Sequence, residues 1–81
     1  MLDILSEVKK IIIDKVGVDN NEVTLEASFT NDLGAESLDI FEIILELEEK
    51  FNIKISDEHA EKINSLSETV RYINEMTKNE N

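Results

Sequence analysis

Cysteine is absent from this 81-residue chain, so the polypeptide itself can form no disulfide and supply no thiol. Proline is absent as well, and glycine occurs only twice, as Gly17 and Gly34, so helix-breaking signals are scarce. Basic side chains are few: 8 Lys and Arg stand against 19 acids, a formal net charge of −11. Such a surface repels phosphate backbones and anionic headgroups, which excludes nucleic-acid binding and membrane insertion as leading functions. It steers instead towards basic patches on other proteins. The apolar run Ile11-Ile12-Ile13 is far too short for a secretory core or a membrane span, and Met1-Leu2-Asp3 is acidic. A cytoplasmic location is the expectation.

Apolar residues make up 41% of the chain and charged residues 33%, a balance that suits one small folded domain over residues 1–81. Leu, Ile, Glu and Lys dominate, which points to an all-α fold. No internal repeat, low-complexity tract or linker interrupts it, and residues 78–81 are expected to fray.

Hydrophobic spacing places the helices. The first begins near Asp3, a plausible N-cap, and runs to about Lys15 with Ile4, Leu5, Val8, Ile11, Ile12 and Ile13 as its apolar stripe; Gly17 stops it. Residues 18 to 36 carry two turn clusters, Asp19-Asn20-Asn21 and Asn31-Asp32 with Gly34. Val23, Leu25, Phe29 and Leu33 predict that this stretch is an ordered loop fixed across the other helices, with room for a short helical turn. The second long helix covers about Ser37 to Phe51. Its core stripe is Ile40, Ile43, Ile44, Leu47 and Phe51, and an acidic stripe of Asp39, Glu42, Glu46 and Glu49 lies opposite. Leu38, Phe41 and Leu45 form a second apolar strip beside the acids, with Phe41 and Leu45 as candidate core. A short third helix follows the cap Ser56 and ends near Ile63. The last opens at Ser65-Leu66-Ser67-Glu68, a capping-box spacing, and buries Leu66, Val70, Ile73 and Met76. The prediction is a small up-and-down bundle of three longer helices and one short one, with a long ordered loop between the first two.

The strongest candidate for chemistry is Ser37, in Gly34-Ala35-Glu36-Ser37-Leu38-Asp39. It stands where a turn meets a helix, and a helix N-terminus favours an attached anion through its unpaired N–H groups and partial positive charge. A plain capping serine is the simpler reading of the residue alone, but the third position on is Ile40, so Ser37 has no reciprocal capping box. No histidine or lysine lies near it in sequence to make it a nucleophile, which disfavours a serine hydrolase and favours a hydroxyl modified by another enzyme.

The stretch Asp32-Leu33-Gly34-Ala35-Glu36-Ser37-Leu38-Asp39 resembles the attachment motif of acyl carrier proteins. The likeness extends over nearly the whole chain: Phe29 before the motif, and Leu47-Glu48-Glu49-Lys50-Phe51, Ile55-Ser56-Asp57-Glu58, Ala60-Glu61-Lys62-Ile63 and Val70-Arg71-Tyr72-Ile73 after it. The resemblance implies a 4′-phosphopantetheine arm on Ser37, taken from coenzyme A by a phosphopantetheinyl transferase, with Glu36 and Asp39 flanking the attachment point. It further implies a non-catalytic, monomeric carrier of acyl thioesters for fatty-acid biosynthesis, which meets acyl-chain synthesising and transferring enzymes through Leu38, Asp39, Phe41, Glu42, Leu45, Glu48 and Glu49. Such an arm would supply the thiol that the chain lacks. The sequence departs from the family at Glu36, where relatives carry an aspartate that helps bind the transferase's magnesium; the longer side chain implies slower modification or a particular transferase. Ser56 replaces the usual proline before the third helix. Two other functions remain compatible with the pattern: a carrier for a specialised cargo such as a polyketide or amino acid, and an unmodified acidic adapter that binds proteins through its second helix. His59, the only histidine, reads as a surface residue, and Asp57-Glu58-Glu61 as a loose attractor of divalent ions without calcium-loop spacing. No resident metal is expected.

Overall fold

In the computed structural model, which describes residues 3–78, four helices follow one another: α1 (Ile4–Val16), α2 (Ser37–Phe51), the short α3 (Asp57–Lys62) and α4 (Leu66–Lys78). The expected fraying of residues 78–81 lies outside the described residues for 79–81, and Lys78 is the final residue of α4. No β-strand occurs among the described residues. A single isolated bridge pairs Ser28 with Ser65.

α1 packs against both α2 and α4. Two ion pairs, Glu7–Lys50 at 3.0 Å and Lys15–Glu46 at 3.8 Å, show α1 and α2 running antiparallel, since the later residue of α1 meets the earlier residue of α2. The Lys50 ammonium, hydrogen-bonded to Glu7, holds that carboxyl below its ordinary value. Asp3 occupies the N-cap of α1, although its carboxylate takes the Ser6 hydroxyl at 3.0 Å rather than a backbone N–H. Gly17 ends the helix in a left-handed conformation (φ 80°) that favours a residue without a Cβ.

Val8, Ile11 and Ile12 of α1, Ile43, Ile44 and Leu47 of α2, Ile63, and Leu66 and Ile73 of α4 form the buried centre. Each fully buried aliphatic or aromatic side chain contributes about 1.5–3 kcal/mol. Ile4 and Ile13, and likewise Ile40 and Phe51, are half-buried at the edges, as the ends of an amphipathic stripe should be.

Three expectations are corrected here. The apolar stripes predict burial of Leu5 and Met76, yet both are exposed, and α4 buries Thr69 together with Leu66 and Ile73. Thr69 is tolerated there because its hydroxyl donates to the Ser65 carbonyl at 2.8 Å, leaving no unsatisfied polar atom. At the start of α4 only half of the capping box forms as spaced: Ser65 Oγ accepts the Glu68 N–H at 3.3 Å, while the Glu68 carboxylate reaches back to the N–H of Asn64 at 3.0 Å.

The long loop is ordered, as expected, and begins with one 3-10 turn over Asn20–Glu22. Val23, Phe29 and Leu33 are buried, joined by Ala27 and Ala35, whereas Leu25 is half exposed and contributes its carbonyl to the Ser67 N–H instead. The loop is stitched to the α3–α4 connection. Phe29 N–H donates to the Asn64 carbonyl at 2.9 Å and Asn64 Nδ2 donates to Ser28 Oγ at 3.0 Å. Asp32 closes the turn by accepting the Ser28 N–H at 2.7 Å.

Candidate functional site

Phe29 is the point from which the site is built. Its ring is fully buried, and its carbonyl accepts the Ala35 N–H at 2.8 Å. Gly34, at φ 71°, lets the chain reverse between those two residues in a conformation costly for any residue with a Cβ. Ala35 is buried, and the next residue, Glu36, is the N-cap of α2 in extended conformation. Ser37 is therefore the first residue of the helix rather than its cap, and it is exposed. The cap is closed from the third helical position, where Asp39 Oδ2 accepts the Glu36 N–H at 3.0 Å. The box sought at Ser37 and Ile40 exists one residue earlier, with an acid at each end. The acids Glu36 and Asp39, three residues apart, carry that signal in the sequence.

This arrangement holds a solvent-facing hydroxyl at the electropositive end of a 15-residue helix, on a turn locked by a buried aromatic ring. Beside it opens a cleft of about 550 Å³ between α2 and α3. Ser37, Ile40, Phe41 and Ile44 line it from α2, Asp57, Ala60 and Glu61 from α3, and Thr30, Ile63 and Asn64 from the flanking connections. The α3 contribution was not legible from helical periodicity, because it depends on how two helices meet.

Leu38, Phe41 and Leu45 are 65%, 57% and 49% exposed, which removes the core reading of this strip. Glu42 and Glu49 are exposed beside them, and Asp39 is half-buried. Two acids are committed internally: Glu46 faces Lys15, and Glu48 Oε2 accepts the Ile55 N–H at 2.7 Å, fixing the turn that follows α2. Asn52 makes that turn possible by adopting the left-handed conformation (φ 55°) at the end of α2.

Ser56 caps α3 as expected, accepting the His59 N–H at 3.3 Å. His59 is exposed, its Nδ1 lies 2.8 Å from Ser56 Oγ, and its ring tilts against Tyr72 at 5.0 Å. Among the described residues no three His, Cys, Asp or Glu side chains converge as a metal-binding set, so Asp57, Glu58 and Glu61 do not form one.

A family model for the phosphopantetheine attachment site matches residues 6–73. A solved acyl carrier protein from Enterococcus faecalis, described for its high thermal stability, is 40% identical. That match covers 86% of this chain and 89% of the other, with a TM-score of 0.75. The chain belongs to the acyl carrier protein family.

Its cofactor is accordingly 4′-phosphopantetheine. The residues present fit the group: an exposed serine hydroxyl stands at the positive end of α2 beside an open, largely apolar cleft, in a chain with no thiol of its own. Membership in the acyl carrier protein family also brings interaction with a transferase and with synthase enzymes. Among the described residues no helix is long and apolar enough to cross a membrane.

Proposed function

We propose that this acyl carrier protein works as one domain over residues 1–81, holding acyl intermediates as thioesters on a 4′-phosphopantetheine arm attached to Ser37 and delivering them to enzymes of fatty-acid biosynthesis. The observation that carries the proposal is the exposed Ser37 hydroxyl on the first turn of α2, next to the α2–α3 cleft. In the attachment step Ser37 Oγ forms a bond to the phosphorus of coenzyme A's pantetheine phosphate. The hydroxyl proton passes to a base on the transferase, and the nucleotide part of coenzyme A leaves. The bound group supplies the thiol for the acyl thioester.

The chain's own residues orient and shelter. The N-terminal N–H groups of α2 stabilise the phosphodiester charge, Gly34 and Phe29 fix the turn, and Asp39 holds Glu36 in place. Glu36 keeps the negative charge expected beside the attachment point. Ile40, Ile44, Ala60 and Ile63 provide an apolar lining in which each buried methylene of a cargo contributes about 0.8 kcal/mol.

Partner docking is assigned to the exposed flank of α2. Leu38, Phe41 and Leu45 form the apolar centre, and Asp39, Glu42 and Glu49 the acidic border, with Glu48 at the edge giving one oxygen to Ile55. Basic patches on the transferase and on acyl-processing enzymes match that border. In this reading the carrier is monomeric, cytoplasmic and non-catalytic; among the described residues no side-chain base is hydrogen-bonded to Ser37.

The test is incubation with coenzyme A and a phosphopantetheinyl transferase followed by intact-mass measurement. One adduct is expected on the wild-type chain and none on Ser37→Ala. An adduct that persists on Ser37→Ala overturns the assignment.

A further inference from the structure

The cleft beside Ser37 has an uneven chemistry. Its floor is aliphatic, but its α3 wall carries two carboxylates, Asp57 and Glu61, one helical turn apart. No Lys, Arg or His is among the residues that line it. Neither carboxylate takes part in an ion pair among the described residues, where the cations Lys15 and Lys50 are engaged with Glu46 and Glu7 on the opposite side of α2.

From this wall we infer that the carrier discriminates its cargo by the charge at the chain's far end, with Asp57 and Glu61 as the specificity-determining residues. Aliphatic acyl chains with an uncharged tail enter the cleft; chains that end in a carboxylate stay in solvent. The inference rests on the proposed attachment at Ser37. A neutral tail entering the cleft gains from burial at little cost. A carboxylate tail would have to shed its hydration in an apolar floor and would meet two like charges at the rim with no cation among the lining residues to compensate. Desolvation alone would disfavour any charged tail. The two acids add a repulsion that is specific for anions and that salt screens.

The experiment loads the full chain through the transferase with octanoyl-coenzyme A and, separately, with the eight-carbon thioester that ends in a second carboxylate. Cleavage of each thioester by hydroxylamine is timed against the same thioester on free pantetheine. On the wild-type chain, octanoyl is expected to be protected by about tenfold or more, and the carboxyl-tipped chain by no more than about twofold. In Asp57→Asn/Glu61→Gln the carboxyl-tipped chain should gain about threefold in protection at low salt, with octanoyl unchanged within about twofold. Glu61→Gln alone, which leaves the first turn of α3 intact, should give a smaller gain of the same sign.

Equal protection of the two chains on the wild type overturns the inference. So does an unchanged rate for the carboxyl-tipped chain in both variants. If neither thioester forms because Ser37 accepts no group, the attachment proposal fails instead, and the mass of the chain distinguishes that result.

Discussion

Asp39 offers the sharpest test of how the turn before Ser37 is held. Its carboxylate accepts the Glu36 N–H at 3.0 Å from the third position of α2. Asp39→Asn removes the charge but keeps an acceptor of the same length. Asp39→Ala removes both. Each change takes one negative charge from a chain at −11, so relief of self-repulsion and loss of the charge–dipole attraction are common to both variants and cancel in their difference. What remains is the capping bond, worth about 1 kcal/mol, less the few tenths that alanine's better helix propensity returns. Asp39→Ala should therefore be about 0.5–1 kcal/mol less stable than Asp39→Asn, which for a domain of this size lowers Tm by about 2–8 °C. Thermal and urea unfolding followed by far-ultraviolet circular dichroism reads this directly. Transferase kcat/KM measured well below both melting points should fall further for Ala than for Asn, because only Ala frees the turn that presents Ser37. An alanine variant as stable as the asparagine variant would refute the capping role.

Phe29→Ala should cost about 3–5 kcal/mol, comparable with the whole stability of a small domain, and abolish a cooperative melt, whereas Phe29→Leu retains one; a sharp transition in the alanine variant contradicts the pinning role. The depressed carboxyl of Glu7 stabilises the fold above its ordinary value of 4.5, and this contribution is lost as pH falls through the lower folded value. The advantage of wild type over Glu7→Gln should therefore be full at neutral pH and shrink below about 4.5; an advantage that persists unchanged into acid argues against the Lys50 contact. Glu42→Lys, on an exposed face, should leave stability within about 0.5 kcal/mol yet weaken transferase docking and flatten its salt dependence; unaltered docking removes Glu42 from the interface. Added sodium, magnesium or calcium salts should raise Tm by screening the −11 charge, and scans that stay flat or fall contradict that account.

Helix existence was legible because the physics that makes helices here is local. The bounds of α2 at Ser37 and Phe51 follow from a turn before and a change of pattern after, and Gly17 and Ser56 stop and start their helices with their own backbone chemistry. Errors fell where a residue's fate depends on a distant neighbour. Met76 has the right spacing for a buried face, yet it is exposed, because burial there depends on what packs against the end of α4 and not on spacing. Leu25 looks like a loop anchor, but its side chain is half exposed and only its carbonyl, bonded to the Ser67 N–H, ties it to α4. Leu38, Phe41 and Leu45 sit at the margin of the core stripe, where a rotation of a few tens of degrees decides between core and surface, and packing against the rest of the bundle fixes that rotation. Glu46 and Glu48 belong to an acidic run by sequence, but each has a specific internal partner that no spacing rule identifies. At the site, Ser37 stood out because its motif is contiguous. The Asp57 and Glu61 wall did not, because the cleft is made by two helices brought together.

The most direct measurement is the mass of this chain purified from its own cells, with fragmentation to locate any added group. The account predicts one 4′-phosphopantetheine on Ser37, bearing a thioester-linked acyl chain in part of the population. A chain that emerges unmodified, or modified at a residue other than Ser37, would contradict it.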